Sequence, residues 1–597
     1  MKRYTLEKAG ALLIVLFLIG AFSVTCANAI NIKNNAETSV NNQKTWTQTV
    51  IFSSPKIAEK EDTIAIEFDE IDSYTNIPGQ PILPYKSIVA TFPLGTKIND
   101  VTCIFSEPEK IQLNKPIKSA PQVNWYCSKN IPSDNLIITP DEESIPWCTY
   151  HLGGGLDNGE HVTFLSIHVF PVKYDQDNEI LACIDEITIN VDYELPIEKP
   201  ASKSDYSLVI ISPLKFQLPL IKLVAHKNRN GVLTKLVSLS DIYFGKYFPV
   251  KGYDRAEKIK YFIKNSHEQW GSDYFLLVGG INRLPMRNSW LGGLGLLTDM
   301  YYADLYFADG SFCSWDSNGN HKYGENYRDG GEDLVDLYAD VYIGRLACNN
   351  KLEVTSVVNK IIKYESIPHD DWWDSIILLG GDTFPGAGVY EGEVTNECIA
   401  DALPGFNYVK LWTSKNTFTP ENINREVSKG ARFVEYSGHG YQFGMGTSPP
   451  NEQERINYLT LDLLSVSNSY KLPVVFFDAC LTAKIDYTLG QAFGLPGILN
   501  FQFPVYAWYW VKKFGGGAIA AIGATDVAFT SVNKDGPQAG AGYLSLHFFK
   551  GYSKCVTVAE MLVYSQNYYL NNLWKDYLTI EQFVLLGDPT LMVGGNS

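Results

Sequence analysis

Two short stretches of the chain hold residue types that could do covalent chemistry. Ser437-Gly438-His439-Gly440 follows an apolar run at Arg432 to Tyr436, and Asp478-Ala479-Cys480 follows another at Val474 to Phe477. An imidazole gives or takes a proton near neutral pH, and a thiolate is the strongest common side-chain nucleophile there. Neighbouring strand ends would bring the two within a few ångströms, although 41 positions separate them in sequence. Gly438 and Gly440 would let backbone amides approach a carbonyl oxygen. Each stretch also has a plainer reading, as a glycine turn and as a buried strand-end thiol, because free cysteine is among the most buried residue types.

The elements that would position these residues can be read from hydrophobic patterning. Reactive groups on an open parallel sheet collect in loops beyond the carboxyl ends of its strands. Near-continuous apolar runs occur at Tyr206 to Ile211, Tyr274 to Val278, Ile376 to Leu379, Arg432 to Tyr436, Val474 to Phe477 and Ala518 to Ile522. Helical stretches lie between them, including Asp254 to Asn265 and Leu352 to Glu365. This alternation is how a parallel sheet covered on both faces reads, so 205–597 is expected to be α/β, dividing near Ile367-Pro368 into sub-domains 205–366 and 367–597. Thr45 to Glu194 instead shows short β-rich runs, such as Thr63 to Phe68, Val162 to Val172 and Glu186 to Val191, separated by Pro, Gly, Asn and Asp clusters. That pattern predicts an all-β domain, so 30–204 reads as this domain with its polar linker, Leu195 to Asp205.

Composition narrows the classes. The chain has 597 residues, enough for about three or four domain-sized units, and its 19% charged and 45% hydrophobic residues argue against disorder or a long coiled coil. A formal charge of -17 repels phosphate backbones and disfavours non-specific nucleic-acid binding. Lys2 and Arg3, the apolar run Ala11 to Gly20 and Ala27-Asn28-Ala29 read as a secretory signal over 1–29, which places the mature chain outside the cytoplasm. The alternative is an uncleaved segment that holds the chain at a membrane. Nine scattered histidines, none with a cysteine at ligand spacing, disfavour zinc.

Taken together, the strand-His439-Gly440 and strand-Ala479-Cys480 blocks resemble the caspase-like cysteine peptidases, specifically the gingipain-type branch. Further similar stretches are Pro78 to Pro84 in the N-terminal part, Leu276 to Gly280 with Pro285, Tyr301 to Asp304, Asp340 to Leu346 and Leu585 to Leu591. The resemblance implies a caspase-like α/β catalytic region behind an all-β pro-domain, and a secreted or cell-surface endopeptidase made as a zymogen. It implies Cys480 as nucleophile, His439 as general acid/base, and the Gly440 and Cys480 amides as the oxyanion site. Asp382, after the strand Ile376 to Leu379, fits the acid that orients the histidine; an Asx turn or helix cap is its other reading.

Relatives that cleave after Arg or Lys hold that side chain on an acid. Glu393, with Glu391 beside it, and Asp526 are candidates here, and both also read as solvated surface carboxylates. Lys199 and Lys203 in the linker would suit self-processing after a basic residue. Asp316, Asn318 and Asn320, with Glu325 farther on, resemble a calcium loop and fit a structural Ca2+ in such relatives. His321 stands where an EF-hand has Gly, and a plain Asx-rich turn is the alternative. No cofactor is required for the chemistry itself. Two competing functions are a caspase-like peptidase that prefers Asn at P1 and a catalytically silent surface or adhesion protein. The ten cysteines complete the reading. Removing Cys26 with the signal and reserving Cys480 leaves Cys103, Cys127, Cys148 and Cys183 in one half and Cys313, Cys348, Cys398 and Cys555 in the other. Disulfides confined to each half, or eight reduced thiols, are both open.

Overall fold

A computed structural model of the chain describes residues 30–31, 43–59, 62–71, 73–77, 79–120, 124–125, 146–196, 205–291, 294–326, 332–367, 371–492, 503–573 and 576–593. The signal segment and the linker lysines Lys199 and Lys203 lie outside them, as does Cys127.

The N-terminal part is built from strands. β1 (Gln43–Ile51), β2 (Pro84–Pro93), β3 (Lys97–Phe105), β4 (Cys148–Asp157), β5 (Glu160–Val169) and β6 (Glu186–Glu194) form its two main sheets, with antiparallel orders β2-β5-β4 and β1-β6-β3. Period-two alternation shapes β6, whose Ile187, Ile189, Val191 and Tyr193 are buried, while β5 is buried on both faces from Thr163 onward; Leu165, Ile167 and Val169 share the β6 core. A Cys103–Cys148 disulfide joins β3 to β4, tying the two sheets together.

From residue 205 the architecture is α/β, as the patterning predicts. A first sheet has parallel strands β7 (Leu208–Ser212), β8 (Thr234–Ser238), β9 (Tyr274–Val278) and β10 (Tyr342–Leu346) in the order β8-β7-β9-β10. The second has β11 (Ser375–Gly380), β12 (Asn407–Trp412), β13 (Phe433–Ser437), β14 (Val474–Asp478), β15 (Ala520–Ala524) and β16 (Phe583–Leu586), in the order β12-β11-β13-β14-β15-β16. Its strands are parallel except β16, which closes the edge antiparallel to β15. Every residue of β13, β14 and β15 is buried, which is why these strands read as near-continuous apolar runs. Around the sheets pack α1 (Gln217–Arg229), α2 (Arg255–Trp270), α3 (Lys351–Ser366), α4 (Glu391–Ala402), α5 (Gly540–Lys550) and α6 (Val558–Asn572).

The β-domain keeps its own core but also lends residues to that of the α/β region. Leu156 and Phe164 of the β-domain pack within the hydrophobic cluster of the α/β region. A run of three glycines, Gly153 to Gly155 on β4, makes the close approach possible. A Cβ there would lie 2.1 Å from the Tyr338 ring at Gly153, 2.7 Å from the Phe307 backbone at Gly154 and 2.8 Å from Tyr338 Cβ at Gly155. Asp336 accepts a hydrogen bond from the Gly154 amide (2.8 Å), and Asn571 receives the Ser166 hydroxyl (2.6 Å).

Within the α/β region the thiols follow the reduced alternative. Cys313, Cys348, Cys398 and Cys555 are unpaired, as is Cys183 in the β-domain. Burial pushes the Cys313 and Cys348 thiols far up and those of Cys183 and Cys555 to about 12, so they are neutral, inert packing groups. Cysteine parity therefore does not single out Cys480; its place at a strand end does.

Candidate active site

The parallel pairing of β13 with β14 sets Ser437 opposite Asp478, and Ser437 Oγ donates to Asp478 Oδ2 at 2.6 Å. Counting two residues onward from each places His439 and Cys480 at the same level beyond adjacent strand ends. The chains abut there: a Cβ at Gly440 would lie 2.2 Å from the Cys480 carbonyl oxygen and 2.8 Å from Ala479 Cβ. Only glycine permits that approach. The structure thus seats the Gly440 backbone against Cys480, with His439 the residue just before it.

His439 is held on several sides. Its Nε2 donates to the Thr383 carbonyl at 2.8 Å, the Phe384 ring meets it edge-on at 5.5 Å, and the Tyr436 hydroxyl donates to the His439 carbonyl at 2.8 Å. A carbonyl only accepts, so Nε2 carries the proton in the neutral ring and Nδ1 is the basic nitrogen. Asp382 lies in the same loop, but its Oδ2 accepts from the Asn451 amide (2.7 Å) while its Oδ1 is buried without a hydrogen-bond partner. The carbonyl one residue on, not the Asp382 carboxylate, is what meets Nε2.

Cys480 is 0% exposed. Its sulfur is bracketed by one residue: the Ala528 amide donates to Sγ at 3.1 Å, and Sγ lies 3.3 Å from the Ala528 carbonyl. The next two residues, Phe529 and Thr530, pair antiparallel with Trp125 and Asn124 of the N-terminal half. A backbone segment of the β-domain therefore runs alongside the thiol-bearing loop.

Four carboxyl groups surround this centre with different fates. Glu393 is buried and accepts from the Ser414 amide (2.9 Å) and hydroxyl (2.5 Å), and among the described residues no cation lies within ion-pair distance of it. It lines a cavity of about 320 Å³ with Tyr390, Glu397, Trp412 and Lys534. Its neighbour Gly392 lies against the site, since a Cβ there would be 2.5 Å from the Ser437 carbonyl. Asp526 is also close to the thiol, its carbonyl accepting from the Leu481 amide (2.9 Å), but its carboxylate is already paired with Lys484 at 2.9 Å. Glu435 is wholly buried under the strand end, held by Asn396, and burial with Asp478 nearby keeps it protonated well above the carboxylate range. Glu391 is the residue whose contribution the sequence concealed. Its carboxylate accepts from the Thr383 (3.1 Å) and Phe384 (3.3 Å) amides, and burial raises its pKa to about 7.

The expected calcium loop is internally bonded. Asn318 and Asn320 both turn their amide NH2 groups to Glu325 Oε2, and Asp316 accepts from the His321 amide at 3.2 Å. Asn318 and Asn320 thus present donors, not oxygens, to Glu325, and among the described residues no group of three His, Cys, Asp or Glu is placed to hold a metal ion. Among them, too, no helix is long and apolar enough to cross a membrane.

Gingipain R2 of Porphyromonas gingivalis strain W83 is 26% identical over 301 residues, covering 49% of this chain and 34% of that protein. Gingipain R1 of Porphyromonas gingivalis is 25% identical over the same length, covering 25% of that protein. The match thus spans about a third or less of these curated relatives. Among solved structures, the complex of Porphyromonas gingivalis RgpB pro- and mature domains is similar over 64% of this chain and 79% of that one, with 21% identity and a TM-score of 0.47. The arginine-specific cysteine proteinase gingipain R is similar over 66% and 80%, with 21% identity and a TM-score of 0.46. The model of peptidase family C25 matches residues 201–594, a span that takes in both sheets, His439 and Cys480 alike; the chain belongs to peptidase family C25.

Proposed function

We propose that this protein is an exported cysteine endopeptidase that is kept latent by its own N-terminal domain and cleaves after Arg or Lys. The observation that carries the reading is the abutment of His439-Gly440 on Ala479-Cys480 at paired strand ends. With Nε2 committed to Thr383, Nδ1 takes the Cys480 proton, and the thiolate attacks the scissile carbonyl carbon. The Gly440 and Cys480 amides receive the oxyanion, and the imidazolium returns its proton to the leaving amine. Water, deprotonated by the same imidazole, then hydrolyses the thioester and frees Cys480.

Glu393 is the better S1 acid of the two candidates, because Lys484 already neutralises Asp526. Asn124 and Trp125 pairing beside the Cys480 loop, and the zero exposure of that thiol, support latency. Cleavage at Lys199 or Lys203 would then release the cover, and the leader over 1–29 would export the chain. The cation reading of the loop at Asp316, Asn318, Asn320 and Glu325 requires both asparagine amides to turn over. The test is turnover of fluorogenic peptides with Arg, Lys, Asn or Asp at P1, before and after cleavage in the linker. Arg and Lys substrates should be hydrolysed after cleavage, and Cys480→Ala should abolish it. Glu393→Gln should lower kcat/KM on them roughly 100-fold, the scale of losing a charge-assisted contact. No turnover on any peptide, with Cys480 still refractory to alkylation after linker cleavage, would sink the reading.

A further inference from the structure

Two neighbouring residues of one loop contact the imidazole of His439, Thr383 through its carbonyl and Phe384 through its ring. The amides of both these residues donate to the same oxygen, Glu391 Oε2, at 3.1 and 3.3 Å. Glu391 is 2% exposed and opens helix α4, so its own backbone is fixed by the helix it starts. Gly392, the next residue, donates its amide to the Gly381 carbonyl at 3.1 Å, which ties the start of α4 to the beginning of the same loop. A Cβ at Gly381 would lie within 2.8 Å of Thr413 and Thr447, so the loop has no room to drift toward the sheet.

We infer that Glu391 is the positioning residue for the general base: it fixes the Thr383-Phe384 backbone that sets both the tautomer and the tilt of His439. It touches no reacting atom and acts only through that loop. The sequence reading grouped Glu391 with Glu393 near the S1 pocket, but the two carboxylates face different partners, one the histidine loop and the other Ser414. Burial, reinforced by the nearby Asp382 carboxylate, raises the pKa of Glu391 to about 7. An acceptor that gains charge over this range grips the two amides more firmly as pH rises.

The inference rests on the peptidase reading and is tested on the full-length protein after limited cleavage in the linker. Glu391→Ala should lower kcat about 100-fold with KM unchanged, because a base displaced by about 1 Å costs that much. Glu391→Gln keeps an oxygen acceptor of the same reach and should recover kcat to within about fivefold of the parent, while removing the contribution near pH 7 from the pH profile. The rate of Cys480 alkylation against pH reads the imidazole without any turnover. It should slow in Glu391→Ala and recover in Glu391→Gln. Alanine and parent with equal kcat and equal alkylation profiles would overturn the inference, and so would a glutamine variant as impaired as alanine while thermal unfolding shows it folded. If the parent hydrolyses no peptide, the functional reading fails first, and the alkylation profiles still decide the role of Glu391.

Discussion

At the scale of single residues, the centre depends on one missing side chain and one neutral acid. Gly440 leaves no room for a methyl group against the Cys480 carbonyl, so Gly440→Ala must push the two strand ends apart. Because catalysis is sensitive to displacements of that size, kcat/KM should fall by roughly 100-fold or more, checked on the substrate that the parent cleaves best. Glu435 supplies a stability test. Its folded pKa is raised, so the native state binds more protons than the unfolded state above pH 4.5, and its contribution to stability falls as pH rises through that window. Glu435→Gln removes the titration while keeping the bond from Asn396. Its melting temperature should therefore gain on the parent at pH 8 relative to pH 5, as thermal unfolding at the two values will show.

At the scale of elements, legibility tracked burial. Strands β13 and β14 were readable because both faces are covered, and the His and Cys beyond them were readable with them. Strand β12 was not, since only Leu411 and Trp412 are buried and no apolar run forms. Helices α5 and α6 also escaped notice. Both are buried around most of their circumference, His547, Ser565 and Asn571 included, so no 3.6-residue stripe distinguishes a face. The partners of the catalytic candidates were hidden for another reason. The Thr383 carbonyl and the two Ala528 groups are main chain, and main-chain groups have no residue signature. Gly153 to Gly155 could be read only as weak strand formers, whereas the structure gives them a packing role. Gly154→Val should overpack the contact with Phe307 and weaken docking of the β-domain by about 1–3 kcal/mol. Cys480 alkylation in the uncleaved chain, faster than in the parent, is the expected readout.

For the whole molecule, the seam between the halves is where pH should act. His168 of β5 is buried against the Asn571 carbonyl at 3.0 Å, with the rings of Tyr85 and His151 beside it, and burial lowers its pKa. The docked state therefore binds fewer protons than the separated one below pH 6.5, so docking is full above that value and weakens as pH falls through it. His267, on the far side of the His161 ring, runs the other way: despite burial, Asp273 raises it. Release of the β-domain from linker-cleaved protein should accordingly increase between pH 7.5 and 5, and His168→Gln should flatten that dependence when release is followed by size-exclusion chromatography. The pairing of Asn124 and Trp125 with Phe529 and Thr530 has one more consequence. In the intact chain that contact is made at an effective concentration of order millimolar, set by the tether and not by how much protein is present. Cutting the tether turns the same contact into an ordinary bimolecular equilibrium, so the cleaved protein should wake on dilution and fall quiet again on concentration.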